Sequence, residues 1–115
     1  MKEGTYFDEK KSMIVDYRYG KKTVIKDKLF SKIMKIVNKE KYLSIVRLKK
    51  LLKIKKPILP HLLWLEEAKE IKIIEERLNI FGGHSFGVVL YKLYLKHHYD
   101  DYYFVKLIKE KEGRL

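Results

Sequence analysis

The sequence predicts an α+β domain. It reads as a core of three helices followed by a β-hairpin, with a β-rich extension before them and a further helix at the end. Three observations carry this. Apolar residues recur at helical spacing in separate stretches between Asp27 and Lys69. Two runs rich in β-formers flank Gly82-Gly83. Clusters of β-branched and aromatic residues alternate with turn signals over the first 26 positions. The expected organisation is therefore an extension over 1–26, a helical unit with its hairpin over 27–95, and a terminal helical segment over 96–115.

At 115 residues the chain makes one domain with a small core. Hydrophobic residues at 46% and charged residues at 37% fit a soluble globular protein. No apolar run approaches the ~20 residues of a membrane span. The opening Met-Lys-Glu-Gly-Thr is polar and carries no secretory signal. Cysteine is absent, which removes disulfides and thiolate chemistry. These features point to the cytoplasm. Glutamine is also absent, and asparagine occurs only at Asn38 and Asn79. Few thermolabile amides beside abundant Lys, Glu and Ile suggest a thermophilic source, and an AT-rich genome would produce part of the same bias.

The net charge of +12 is unevenly placed. Residues 1–56 hold 18 Lys/Arg against 6 Asp/Glu, whereas residues 57–115 hold 9 of each. Such asymmetry suggests a polyanion partner, with a solvated lysine-rich surface as the plainer alternative. An anionic membrane is disfavoured, because no Trp/Phe/Leu face looks spare to enter lipid.

In chain order, Thr5 to Phe7, Ser12 to Tyr19 and Thr23 to Ile25 read as short strands of a hairpin or meander, with Gly20-Lys21 as a turn. Met13, Val15, Tyr17 and Tyr19 would share one face, which needs the helices or a second subunit to cover it. Asp27 is an N-cap for the first helix. Leu29, Ile33, Ile36 and Val37 form its apolar stripe with Phe30 at the edge, and Lys28, Lys32, Lys35 and Lys39 recur on a solvated face. Residues 38–43 read as a connector that drops Tyr42 or Leu43 into the core. Ser44 caps a second helix reaching about Lys53, with Leu48, Leu51 and Leu52 on one face. Ile54, the apolar residue in a lysine-rich turn, plugs the corner. Pro57 fits the opening of a third helix over 57–69, where a missing N–H costs nothing. Ile58, Leu62 and Leu65 point it into the same core, leaving Pro60, His61 and Trp64 outward. Two amphipathic helices joined by so short a turn have helix-turn-helix geometry.

Residues 71–81 and 84–95 then form a hairpin, with Gly82-Gly83 supplying positive φ at its tip. Val89, Tyr91, Leu93 and Leu95 alternate, which predicts a long, half-buried return strand. Asp100 or Asp101 caps a last helix over 102–112, whose aromatic face suggests a homodimer contact.

Helix, helix, lysine-rich turn, helix, strand, glycine loop, strand: residues 27–95, roughly sixty per cent of the chain, resemble the winged-helix family of DNA-binding domains. Size, composition and pattern resemble the small winged-helix transcription regulators of archaea and their viruses; for a viral protein the compartment would be the host cytoplasm. The turn after Ile54 is one residue shorter than the common pattern, and Pro60 lies in the first turn of the third helix. The resemblance implies that the second helix crosses the DNA backbone and the third enters the major groove. Double-stranded DNA is then the partner, with Arg47, Lys50, Lys53, Lys55 and Lys56 on phosphates. Pro60, His61 and Trp64 would face the groove, and Arg77, His84 and Ser85 near the wing tip would reach the minor groove or a phosphate, with a mobile tip that holds no ligand as the alternative. For Trp64, packing against the N-terminal segment or a subunit partner competes with DNA contact. The third helix has no Arg, Asn or Gln for a bidentate base contact, which leaves a thymine methyl against Leu59 or Trp64, or DNA shape. That weakness keeps open a winged-helix RNA-binding or protein-interaction subunit, or a non-specific structural nucleoprotein.

The sequence has no P-loop and no HExxH, and Gly83-His84-Ser85-Phe86-Gly87, which matches Gly-x-Ser-x-Gly, falls in the expected hairpin rather than in the strand-turn-helix that motif requires. Asp100-Asp101, Glu66-Glu67 and Glu75-Glu76 read as caps or solvated faces, away from the basic half where a nuclease would hold Mg²⁺. His97-His98 point to different sides of most backbones, so no metal or other cofactor is expected.

Overall fold

The computed structural model describes residues 3–77 and 84–97; positions 76, 77, 84, 85 and 97 are described by their backbone alone. The fold is α+β, with four helices and two small antiparallel sheets among the described residues.

The first sheet is a meander of β1 (Gly4–Asp8), β2 (Met13–Arg18) and β3 (Lys21–Lys26), in that spatial order. Arg18 pairs with Lys21, which leaves Tyr19-Gly20 as a two-residue turn. Both have positive φ, 53° and 76°, as a turn matched to strand twist requires. The face that meets the helices is not the one expected. Ile14 packs into the core with its cross-strand neighbours Phe7 and Ile25, while Met13, Val15 and Tyr17 lie on the opposite side with Tyr6 and Val24. A strand's side chains alternate, so a choice of parity moves the whole set. Phe7, Ile14 and Ile25 meet across the strands and pack on the helical core, with the Phe7 ring 6.3 Å from that of Phe30.

Ser12 ties the meander to the helices. Its hydroxyl donates to the Asp27 carbonyl (2.6 Å) and accepts the Ser31 N–H (3.1 Å). Asp27 caps α1 (Lys28–Glu40) by accepting the Leu29 N–H at 2.9 Å, as expected of it. Leu29, Phe30, Ile33, Met34 and Val37 are buried, so Phe30 is central rather than marginal, and the four lysines of the opposite face are exposed. Lys41 breaks the helix with φ 71°.

The connector is a strand. β4 (Tyr42–Ser44) pairs with β6, and both Tyr42 and Leu43 are buried. α2 (Ile45–Leu52) follows, with Ser44 Oγ accepting the Arg47 N–H at 3.1 Å. Leu48 is fully buried, Leu52 half-buried and Leu51 exposed, which narrows the expected apolar face. α3 (Leu59–Glu67) starts two residues later than Pro57. Pro60 occupies the first turn, where its absent N–H is again no loss. Ile58, Leu62 and Leu65 are buried as the spacing predicts.

β5 (Ile71–Arg77) and β6 (His84–Leu90) complete a second sheet in the order β4-β6-β5. Its inner face gives Leu43, Ile71 and Val88 to the core. The return strand is shorter than expected, because Tyr91–His97 is helix α4. Leu93 and Tyr94 pack on Tyr42 and Val89, over the sheet's outer face. Leu90, Leu93 and Tyr94 also fit a helical period, so the alternation was ambiguous, and cover for that outer face decides it. The tip at Gly82-Gly83, the terminal helix over 102–112 with its dimer contact, and His98 lie outside the described residues. No helix among the described residues is long and apolar enough to cross a membrane.

Candidate functional site

α2 ends on a lysine in a left-handed conformation. Lys53 has φ 58° and ψ 40°, and its N–H and that of Ile54 bond to the carbonyls of Lys50 (3.2 Å) and Lys49 (3.3 Å). This closes the helix abruptly and turns the chain towards α3. Ile54 packs against the core, plugging the corner as its neighbours suggested. Lys49, not among the expected phosphate contacts, braces the turn: its Nζ donates to the Lys55 carbonyl at 3.1 Å. A tie six residues long leaves no periodic mark that would have revealed it.

The predicted phosphate contacts then separate. Lys50, Lys53, Lys55 and Lys56 are all exposed on or beside this turn. The first three form no ion pair within the described residues, while Lys56 lies near enough to Asp27 to help hold that carboxyl ionised. Arg47 is half-buried with Nη2 3.5 Å from Glu40 Oε1, so its charge is already matched by α1. Lys50, Lys53, Lys55 and the stem of Lys49 line a shallow groove with Val46 and Ile54.

The expected outward face of α3 needs correction. His61 is turned inward, its side chain only 19% exposed. Its Nε2 lies 2.8 Å from Asp27 Oδ2, and its ring lies 5.0 Å from that of Phe30. His61 Nδ1 is buried with no hydrogen-bond partner among the described residues. The bond to His61, then the Leu29 N–H, hold the Asp27 carboxyl below the usual carboxylate range, against the opposing effect of burial. So His61 locks α3 to the cap of α1. The spacing contained this: position 61 is three after Ile58 and four before Leu65, on the buried arc. Trp64 is half-buried at the shoulder of the core and lines a hollow with Arg18, Pro60, Leu63 and Glu67, which favours packing towards the N-terminal segment. Arg18 reinforces that seam, reaching Asp16 Oδ1 at 3.1 Å and Glu67 Oε2 at 3.6 Å.

What α3 does present is apolar. Leu59 and Leu63 are each 48% exposed beside Pro60, and Phe86 on β6 is 50% exposed across a cleft of about 540 Å³. Ile58 and Ile73 also line it, together with the charged Lys49, Lys72 and Glu66. The expectation that no Leu or Phe face is spare therefore does not hold. Glu66 is occupied at the far end, accepting the Ile73 N–H at 2.7 Å with Lys72 Nζ at 3.8 Å.

Of the residues expected near a wing tip, the backbones of Arg77 and His84 face each other across the β5–β6 ladder, with Glu76 opposite Ser85; the side chains of Arg77, His84 and Ser85 lie outside the described set. No cluster of His, Asp or Glu suited to a metal occurs among the described residues. Comparison with protein-family models, with curated proteins and with solved structures finds no match to this chain.

Proposed function

We propose that this chain is a winged-helix protein that binds double-stranded DNA and regulates transcription by occupying a promoter. The element order α1, β4, α2, α3, β5, β6, with a β4-β6-β5 sheet, supports the winged-helix reading. The observation that carries the function is the turn between α2 and α3. It gathers exposed Lys50, Lys53, Lys55 and Lys56 beside the amino end of α3, with the acids Glu66 and Glu67 at the other end of that helix. Lysines so placed neutralise phosphates and release counterions. α3 then lies towards the major groove and the β5–β6 hairpin flanks it as the wing. The chain acts by occupancy and performs no reaction. A homodimer would present two such surfaces to one duplex, and light scattering showing a strict monomer at high concentration would remove that part.

The exposed cleft of Leu59, Leu63 and Phe86 favours a second reading, a winged helix that docks a protein. Competition at fixed salt between duplex DNA, structured RNA, single strands and anionic vesicles separates the two, since a protein-docking chain would bind none of them. Duplex DNA should win. A Lys53→Glu, Lys55→Glu, Lys56→Glu variant should lower the salt slope of duplex binding by about 2.7, three contacts at about 0.9 each. An unchanged slope would defeat docking through this turn.

A further inference from the structure

We infer that the outward face of α3 reads thymine methyl groups, so that the preferred duplex presents dT in the major groove where α3 lies. This rests on the duplex-docking reading above and specifies its target.

The amino-terminal half of α3 offers the groove Leu59, Pro60 and Leu63, none with a side-chain donor or acceptor. His61, the one polar side chain in that half, is withdrawn onto Asp27 and Phe30. Glu66 and Glu67 are engaged with Ile73, Lys72 and Arg18. Among groups displayed in the major groove, only the thymine C5-methyl is apolar. A G·C pair set against two leucines would instead lose water from its O6, N7 and amino groups with nothing to replace it. Charge complementarity names the occupant. The cleft that holds the exposed leucines is bordered by Lys49 and Lys72, with Glu66 also in its lining, and Lys49 is shared with the neighbouring groove of Lys50, Lys53 and Lys55, which are free of ion pairs within the described residues. An apolar floor with a cationic flank fits methyl groups bordered by phosphates. RNA fits badly on two counts, since uracil lacks the methyl and the A-form major groove is too narrow to admit a helix.

The test uses the full chain and three duplexes of equal length: alternating dA-dT, the same with every dT replaced by dU, and alternating dG-dC. Fluorescence anisotropy at fixed salt should show roughly fourfold weaker binding for each methyl removed from contact, and the dG-dC duplex weakest of all. Leu63 is exposed, so Leu63→Ala should fold, which circular dichroism checks. It should erase much of the dT/dU difference and leave the salt slope unchanged. A groove-shape preference would survive that substitution. Equal affinity for the dT and dU duplexes overturns the inference and leaves duplex docking standing. So does a dT/dU difference that persists undiminished in both Leu63→Ala and Leu59→Ala. Failure to bind any duplex, with binding to structured RNA or anionic vesicles, removes the docking reading and this inference together.

Discussion

Replacing Lys53 by glycine should make the protein more stable and, on the duplex-docking proposal, a poorer DNA binder. Lys53 is left-handed at φ 58°, ψ 40°, a conformation that costs a residue bearing a Cβ about 1–2 kcal/mol. Glycine removes that strain and adds back about 0.4–1 kcal/mol of unfolded-state freedom. The net gain is about 0.5–1 kcal/mol, or about 2–4 °C in melting temperature for a domain of this size. The same substitution deletes one proposed phosphate contact, so the salt slope should fall by about 0.9. Lys69 provides the control. It is also left-handed, at φ 59°, but follows the acidic end of α3. Lys69→Gly should raise stability similarly and leave the slope alone. Urea melts and anisotropy titrations over a salt series read both quantities. A Lys53→Gly protein no more stable than the parent refutes the conformational reasoning. Increased stability with an unchanged slope refutes Lys53 as a phosphate contact. Both expected shifts together would show strain held at a position whose value lies in its charge.

Three further substitutions test the frame that positions this surface. A Cβ on Gly87 would lie 2.5–2.8 Å from atoms of the buried Tyr42 ring, so Gly87→Ala should cost about 1–3 kcal/mol; in a Tyr42→Ala background that penalty should largely vanish, and additive effects would count against the packing argument. Asp27→Asn should destabilise near neutral pH and much less in strong acid. The folded Asp27 pKa is depressed, so its contribution is present above the ordinary carboxylate pKa and disappears as pH falls through the lowered value; parallel pH–stability curves for parent and variant would contradict this. Leu48→Ala, at a fully buried position of α2, should cost about 2–5 kcal/mol in urea melts, and a smaller loss would mean that α2 is not docked as described.

Local chemistry was legible in the sequence, and long-range pairing was not. Asp27 and Ser44 cap their helices because a short acceptor side chain before an apolar period has few other uses. The burial of Ile58, Leu62 and Leu65 follows from their spacing alone. β4 left no such mark. Tyr42-Leu43-Ser44 is too short to show alternation and is a strand only because Val88 and Val89 lie opposite it. Tyr91–His97 satisfies both periods, and the need to cover Tyr42 and Val89 selects the helix. Pro57 and Pro60 both suit a first turn, and the helix opens at Leu59, one residue before Pro60. In the candidate site, the lysines could be read directly, since charge is a property of composition. His61 could not be read by residue type, which suggested a groove contact, but its position on the buried arc was the better guide.

Charge and apolar exposure on this surface have different physical consequences. Lysine is a strongly hydrated point charge on a flexible stem, and it holds phosphate with little directional demand. The turn between α2 and α3 can therefore supply attraction and orientation but little discrimination between sequences. Single exposed leucines are ordinary on a protein surface. Leu59 and Leu63 differ because they share one stripe of α3 with Pro60 and face Phe86 across the cleft, at the end of the helix where the lysines gather. Removing that stripe from water is favourable only against another apolar group, a demand lysine does not make. His61 sharpens this contrast. By bonding to Asp27 it fixes the rotation of α3 about its axis, which keeps polar chemistry inside and leucine outside. Selectivity would thus depend on a part-buried hydrogen bond that never touches the ligand.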